Sequence, residues 1–267
     1  MSAVLTIDKN KVRQSFASAA NSYDALATLQ RKVGLKLLQK FFEKRSSDIV
    51  IDVGCGTGFL TQQLIDREIS GQVMAMDIAL SMVQKTKVKT GGIQNVNYFC
   101  ADAEFIPLKA TSVDIILSNL ALQWCQNLTA VFSGFKQVLK QEGQLVFSTF
   151  GPSTLQELKQ AWSEVDNYTH VNEFYSADEI NRFLESAGFE KIEIVTKCYH
   201  SQYLSVIELM RELKGIGAHN VLSRRNRKTT SKSAMQAMIS AYERNAGQNK
   251  ISATYEIIFV TAQAQVA

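Results

Sequence analysis

Three glycines and an acid at the end of an apolar segment could form a ligand-binding turn. The segment Val50–Val53 runs into Gly54, Gly56 and Gly58. Glycine has no Cβ, so a turn of this kind lets a ligand approach the backbone closely. A dinucleotide-binding loop has the spacing Gly-x-Gly-x-x-Gly, but here the third glycine comes early and Asp52 precedes the first. The pattern predicts a ligand-binding turn that differs from the dinucleotide type, and a tight turn without a ligand is the alternative.

Two further acids end the next apolar segments. Gln72–Asp77 has the composition of a second strand that ends in an acid, and Val96–Asp102 carries a third strand into another acid. In nucleotide-binding folds an acid after the second strand holds the ribose hydroxyls, and one carboxylate can accept from both hydroxyls. We therefore expect Asp77 to bind a ribose.

Further apolar strands alternate with helical patterns along the chain. Val113–Ser118 and Gln144–Thr149 are predicted strands, and the helical spacing over Leu128–Lys140 between them is followed by Gly143 as a stop signal. Such alternation predicts a parallel sheet with helices on both faces. Two last strands are predicted at Phe189–Val195 and Tyr255–Val260. The fold class is therefore α/β: a Rossmann-like, seven-stranded, mostly parallel sheet with an antiparallel last strand.

Two segments outside these strands are too long to be loops. Residues 204–249 separate the last two strands and contain helical patterns. Inserted helices near the carboxyl ends of strands usually cover the ligand crevice, so we interpret this insertion as a helical lid. Residues 1–45 are predicted to form an N-terminal helical cap. The prediction is one domain over 1–267, with its core at 46–200 and 250–267.

The glycine loop and the acids together resemble the cofactor site of the Rossmann-like S-adenosylmethionine-dependent methyltransferases. In that family the acid after the third strand accepts from the adenine amino group, and the next backbone N–H serves the adenine ring. The resemblance implies S-adenosylmethionine as cofactor and S-adenosylhomocysteine as its product. The cofactor-binding residues that it implies are Gln30, Asp52, Gly54, Cys55, Gly56, Gly58, Asp77, Ile78, Met82, Asp102, Ala103 and Asn119.

A narrower resemblance covers nearly the whole chain. Phe16–Asp24 with Gln30, Ser118–Cys125, Phe147–Leu158 and Leu209–Ala218 are similar to the malonyl-acyl carrier protein O-methyltransferases of biotin synthesis. The resemblance implies methyl transfer to the free carboxylate of a malonyl thioester, which gives the methyl ester that starts pimeloyl synthesis. The implied partner is malonyl-acyl carrier protein, with malonyl-coenzyme A as a possible replacement.

Methylation of a carboxylate needs no general base. Carboxylic acids have pKa values of about 4, so the nucleophile is already ionised at neutral pH. Tyr23 and Arg211 are the candidate catalytic residues: the resemblance places Tyr23 in the pocket, and Arg211 is the cation that would position the carboxylate. An ordinary surface pair of Arg211 with Glu208 or Glu212 is the alternative.

A compact basic run occurs within the insertion. Arg224, Arg225, Arg227 and Lys228 could attract an acidic carrier protein over long range. The alternatives are a solvated basic loop and a nucleic-acid contact. A net charge of only +4, without a stripe of basic and aromatic residues, argues against nucleic acid.

Composition indicates one soluble globular chain. Its 267 residues are 46% hydrophobic and 20% charged, which provides for a substantial core. No apolar run approaches the roughly 20 residues of a membrane span, and the N-terminus lacks a signal-peptide pattern, so we expect no membrane contact and a cytoplasmic location.

The cysteines and histidines do not have the spacing of a metal site. The four cysteines show no Cys-x-x-Cys pairing, so we expect reduced thiols and no metal. A nucleophilic role for Cys55 is possible, but a small side chain that fits the glycine turn is the simpler interpretation.

Other functions share parts of this pattern. Nucleic-acid amino-methyltransferases carry an Asn/Asp-Pro-Pro-aromatic turn after the fourth strand, whereas Ser118–Leu122 fills that place here. A methyltransferase acting on another small carboxylic acid or on a quinone would share the cofactor half and differ in the lid. A non-catalytic cofactor-binding or interaction protein is the alternative of another class.

Overall fold

A single mixed sheet forms the centre of the protein, in a computed structural model that describes residues 7–41, 48–67, 71–218, 230–246 and 251–265. Its strands are β1 (Val50–Val53), β2 (Val73–Asp77), β3 (Val96–Cys100), β4 (Val113–Asn119), β5 (Leu139–Phe150), β6 (Phe189–Tyr203) and β7 (Ile251–Ala264). The spatial order is β3-β2-β1-β4-β5-β7-β6. Strand β7 runs antiparallel to both β5 and β6, and the other neighbours are parallel. The predicted seven-stranded, mostly parallel sheet is confirmed.

Helices cover both faces of this sheet. They are α1 (Lys9–Ala19), α2 (Tyr23–Leu26), α3 (Thr28–Phe41), α4 (Phe59–Asp66), α5 (Leu80–Lys89), α6 (Leu128–Val138), α7 (Gln156–Ser163), α8 (Ala177–Ser186), α9 (Val206–Gly215) and α10 (Lys232–Ala246). The first three precede the sheet, and α9 and α10 lie in the insertion between β6 and β7. Among the described residues, no helix is both long enough and apolar enough to cross a bilayer.

Two apolar cores lie on opposite faces of the sheet, because neighbouring side chains of a strand point to opposite faces. Val50 packs in the core that contains α3, α4, α7, α9 and α10 residues, whereas Ile51 packs in the core formed by α6 and α8. All four residues of β1 are buried, as expected for a parallel strand covered on both sides. The insertion helices therefore share the core that lies beneath α3.

Several element boundaries differ from the prediction. Helix α6 ends at Val138 and β5 begins at the next residue, so Gly143 lies inside the strand and the predicted stop signal was wrong. A Cβ on Gly143 would lie 2.8 Å from the carbonyl oxygen of Lys140, which explains the glycine by close backbone contact. Strands β6 and β7 are also longer than predicted, and they pair from Phe189↔Ala264 to Tyr203↔Ile251.

The strand order places a crevice above the sheet. It reverses between β1 and β4, which lie side by side although two strands intervene in the chain. In open α/β sheets, ligands bind beyond the carboxyl ends of the strands at such a switch point. The glycine loop after β1 and the residues after β4 meet at this point.

Candidate functional site

The glycine loop is held tightly against its neighbours. The backbone N–H groups of Gly54 and Cys55 both donate to the Met76 carbonyl oxygen, at 2.8 and 2.9 Å. Gly54 has a φ of 77°, and a Cβ at this position would lie 2.3 Å from the Cβ of Ala121. No larger residue fits at position 54, because the chain following β4 occupies that space.

Asp77 joins the end of β2 to the glycine loop. One carboxylate oxygen accepts from the backbone N–H of Gly56 at 2.9 Å, and the other accepts from that of Ala79 at 2.9 Å. Burial raises the pKa of Asp77 to about 6 despite these hydrogen bonds. A carboxylate can accept about four hydrogen bonds, so Asp77 keeps acceptor capacity for a ligand.

Asp52 is a second buried acid beside the loop. The Thr61 hydroxyl donates to its Oδ2 at 2.7 Å. Burial, with the nearby Asp77 carboxylate, raises the pKa of Asp52 to about 7. Two acids at this loop favour a cationic ligand over a phosphate, since like charges repel.

Asp102 lies at the far end of the crevice, and it is paired with a residue that sequence reasoning missed. Lys9 of α1 donates to Asp102 Oδ1 at 2.9 Å and lies 2.8 Å from Glu104 Oε1. The backbone N–H of Glu104 also donates to Asp102, at 3.0 Å. This contact spans most of the first 100 residues, so no local pattern indicates it.

The glycine loop, Asp77 and Asp102 line a crevice that is called here the first crevice. Its walls are mostly apolar, and the Phe16 and Trp124 rings meet edge to face at 5.3 Å between centroids. The predicted cofactor residues that line the first crevice are Gly54, Gly56, Asp77, Ile78, Met82, Asp102, Ala103 and Asn119. The structure thus brings eight predicted residues together from four strand ends.

A second crevice lies on the other side of the glycine loop. The predicted residues Gln30, Asp52 and Cys55 line it, and so does Arg31, which sequence reasoning missed. The Arg31 guanidinium donates to the Asp24 carbonyl oxygen and, at 3.3 Å, to the Thr28 hydroxyl. No motif indicates Arg31, because its place depends on how α3 meets the loop.

Asn119 and Gln30 join the elements around the two crevices. Asn119 Nδ2 donates to the Gln30 carbonyl oxygen at 3.0 Å, and its Oδ1 accepts from the Ser148 hydroxyl at 2.8 Å. The Asn119 side chain therefore holds α3 and β5 against β4. Both of these Asn119 side-chain hydrogen bonds are made to other groups of the protein.

Cys55 and Gly58 are explained by packing. The Cys55 thiol lies 3.5 Å from the Thr86 hydroxyl, and burial raises its pKa well above the ordinary value, so it stays a thiol. Gly58 lines neither crevice; a Cβ there would lie 2.8 Å from Thr86 Cγ2, and its φ is 86°. The Cys55 side chain therefore lacks the thiolate state that a nucleophile needs.

Tyr23 lies between the two crevices and lines both of them. It begins α2, and its ring is the nearest group, at 3.9 Å, to a Cβ built on Gly56. Burial and the nearby Asp77 carboxylate raise the pKa of Tyr23, so its hydroxyl stays protonated and can donate.

A large cavity of about 420 Å³ adjoins both crevices. Trp124 is a wall shared with the first crevice, and Gln30 is a wall shared with the second. Helices α7 and α9 and the loop between α7 and α8 supply most of the remaining lining. The insertion thus forms part of the cavity wall.

Arg211 of α9 lines the large cavity. The expected alternative, a surface pair with a neighbouring glutamate, is not formed: Glu208 accepts from the Leu204 backbone N–H at 2.7 Å, and Glu212 accepts from the Tyr203 hydroxyl at 2.8 Å. Arg211 has no ion pair within the described part of the chain. An anionic ligand could therefore pair with it.

Two further predictions concern charged groups. Arg224, Arg225, Arg227 and Lys228 lie outside the described residues. Within residues 7–41, 48–67, 71–218, 230–246 and 251–265, no three His, Cys, Asp or Glu side chains are grouped as metal ligands.

Comparisons with known proteins identify the fold and the family of the chain. A family model for the methyltransferase domain matches residues 25–194. The solved structure of the YcgJ protein from Bacillus subtilis covers 88% of this chain and 99% of its own, with a TM-score of 0.64 and 18% identity. That likeness shows a shared fold.

Relatives found by sequence have a higher identity to this chain than this solved structure has. The malonyl-acyl carrier protein O-methyltransferase of Gallionella capsiferriformans is 38% identical over 261 residues, covering 95% of this chain and 90% of that protein. The protein of the same name from Methylovorus sp. is 39% identical over 271 residues, covering 98% of this chain and 92% of that protein. The resemblance noted in the sequence is confirmed, and the chain belongs to the malonyl-acyl carrier protein O-methyltransferase family.

Proposed function

We propose that this protein, in the cytoplasm, transfers a methyl group from S-adenosylmethionine to the free carboxylate of malonyl-acyl carrier protein. The product is the malonyl methyl ester thioester that starts pimeloyl synthesis for biotin. The observation that carries the proposal is the shared wall: Trp124 and Gln30 each line both a crevice at the glycine loop and the large cavity. A methyl donor at the loop would therefore lie next to space for an acyl chain.

The first crevice fits the nucleoside half of the cofactor. Asp77 is fixed by two backbone N–H groups and keeps capacity for two ribose hydroxyls. At the far end, Asp102 and the backbone of Ala103 would receive the adenine edge. The apolar walls and the Phe16–Trp124 pair suit an aromatic base.

The second crevice fits the amino-acid half. Arg31 would pair with the carboxylate of the cofactor, since a guanidinium is the strongest carboxylate partner in proteins. Asp52 and Asp77 place negative charge close to where the sulfonium would lie. This arrangement favours the cationic cofactor over its neutral product.

For this reaction the protein has to align the two reactants and exclude water from the site. Bound S-adenosylmethionine supplies an electrophilic methyl group: a carboxylate oxygen forms the new C–O bond as the C–S bond breaks and leaves its electron pair on sulfur. No residue has to remove a proton from the attacking carboxylate. The protonated Tyr23 hydroxyl, which lies between the crevices, would donate to the substrate and hold it in line.

Arg211 would bind the malonyl carboxylate through one oxygen. A bidentate contact would reduce the nucleophilicity of both oxygens, whereas a single contact leaves one oxygen free to attack. Support comes from its place in the cavity wall and from the internal partners of Glu208 and Glu212. Burial of opposite charges that cancel during transfer also favours reaction in a water-poor cavity.

The basic run at residues 224–228 would dock the acidic carrier protein. Ala218 and Thr230, the described residues nearest to this run on either side, both line the large cavity. A carrier attracted to the run would therefore be close to the cavity that its acyl chain must enter.

The proposal is tested by methyl transfer from labelled S-adenosylmethionine to malonyl-acyl carrier protein. Acetyl-acyl carrier protein, which lacks the free carboxylate, is the control. Label on the malonyl form alone supports both the reaction and the nucleophile. If neither carrier protein is labelled although the cofactor still binds, the result contradicts the proposal and favours another small acid or a quinone as substrate.

A further inference from the structure

An unsatisfied polar side chain lines the large cavity. Asn172, in the loop between α7 and α8, is only 9% exposed. Its Oδ1 is out of contact with solvent and accepts no hydrogen bond, and it is the single buried side-chain nitrogen or oxygen in this condition within the described residues. Buried polar atoms normally have a partner, so this acceptor is matched to a ligand that can donate once the Asn172 side chain turns toward the cavity.

The loop that carries Asn172 is held rigidly next to it. The His170 ring stacks on Trp162 with centroids 3.7 Å apart and planes 7° apart. Its Nε2 lies 2.8 Å from Asp166 Oδ1. His170, Trp162 and Asn172 all line the cavity. The unsatisfied acceptor thus belongs to a fixed wall.

A malonyl group alone cannot satisfy this acceptor. Its ionised carboxylate and its thioester carbonyl only accept hydrogen bonds. The cavity, at about 420 Å³, lies within the roughly 300–1,000 Å³ of pockets that enclose a drug-sized ligand, so it has room for more than the acyl group. If the substrate supplies the donor, the donor belongs to the part beyond the sulfur.

The carrier arm supplies such a donor. Acyl carrier protein and coenzyme A both hold an acyl group on a pantetheine chain with two secondary amides, and each amide has one N–H. We propose that Asn172 is a specificity-determining residue whose Oδ1 accepts from an amide N–H of this arm, beside the His170–Trp162 stack. The inference rests on the proposed function, because it assumes a malonyl thioester as substrate.

The experiment compares two small thioesters, malonyl-pantetheine and a malonyl alkyl thioester of equal length without amides. The wild-type protein is expected to prefer the pantetheine form in kcat/KM by about tenfold, the scale of one buried hydrogen bond. Asn172→Leu, which is similar in size, is expected to remove that preference by slowing the pantetheine form alone. Asn97→Leu, an exposed site on β3, is the matched control and should keep the preference.

Thermal melting separates this role from a structural one. Since the Oδ1 of Asn172 has no internal partner, Asn172→Leu should leave Tm unchanged or raise it. An equal loss on both thioesters, or equal wild-type rates on both, would overturn the inference while leaving the methyl transfer intact. Absence of label in every malonyl thioester with wild-type protein would instead overturn the proposed function, and the inference with it.

Discussion

Replacing Asp77 by alanine should weaken S-adenosylmethionine binding substantially. The carboxylate is fixed by the backbone N–H groups of Gly56 and Ala79, so it is preorganised for the two ribose hydroxyls that we assign to it. Hydrogen bonds to a charged group contribute about 1.5–3 kcal/mol. The expected loss is therefore at least about 1.5 kcal/mol, or more than tenfold in Kd.

Calorimetry at pH 7.5 measures this loss directly. Asp66→Ala, at an exposed acid that only accepts from Gln62, is the control and should bind the cofactor like the wild type. A melting curve of each variant shows whether the loop still folds, because alanine also leaves two N–H groups without their acceptor. Unchanged affinity in a folded Asp77→Ala protein would refute the placement of the ribose.

The same carboxylate should make cofactor binding depend on pH. Only its ionised form attracts the sulfonium, and its pKa of about 6 means that affinity is lost as pH falls through that value. Between pH 7.5 and 5.5 the ionised fraction of Asp77 falls from about 0.97 to about 0.24, so Kd should rise at least about fourfold, because Asp52, with a pKa of about 7, loses its charge over the same interval. Neutral S-adenosylhomocysteine should show a weaker dependence, and equal dependence for both ligands would contradict the electrostatic argument.

Three further predictions follow from the site. Arg211→Met should raise the KM for malonyl-acyl carrier protein at least tenfold by removing the carboxylate partner, with cofactor affinity unchanged by calorimetry; the surface variant Arg244→Met is the control. Gly54→Ala should lower Tm more than Gly91→Ala, because both have positive φ but only the Cβ at 54 meets another atom; equal Tm losses would refute the collision. Reversing the arginine charges in 224–228 should slow turnover of malonyl-acyl carrier protein far more than that of malonyl-coenzyme A, and equal effects would leave this run without a docking role.

Local patterns were sufficient to predict the sheet and much of the candidate site. The glycine loop follows β1, Asp77 is the last residue of β2 and Asp102 comes just after β3, and parallel strands bring their carboxyl ends to one edge. A motif that spans a strand and the next turn is therefore readable without knowledge of distant contacts.

Residues that reach the site from other elements could not be predicted. Lys9 meets Asp102 across the chain, and Arg31 reaches the second crevice through the packing of α3. Asn172 is distinguished by an Oδ1 atom that has no hydrogen-bond partner, and no sequence pattern indicates such an absence. Gly143 was misread because a glycine after a helix can also serve a close backbone contact within a strand.

The long pairing of β6 with β7 has an evolutionary consequence. The final pair of this ladder, Tyr203↔Ile251, brings the two ends of the insertion onto adjacent strands. A segment that leaves and re-enters the fold at neighbouring points can be exchanged or resized without moving the strands that carry the glycine loop. The part of the cavity wall that the insertion supplies can thus change without disturbing the methyl-donor half, whereas the loop that carries Asn172 lies outside the insertion.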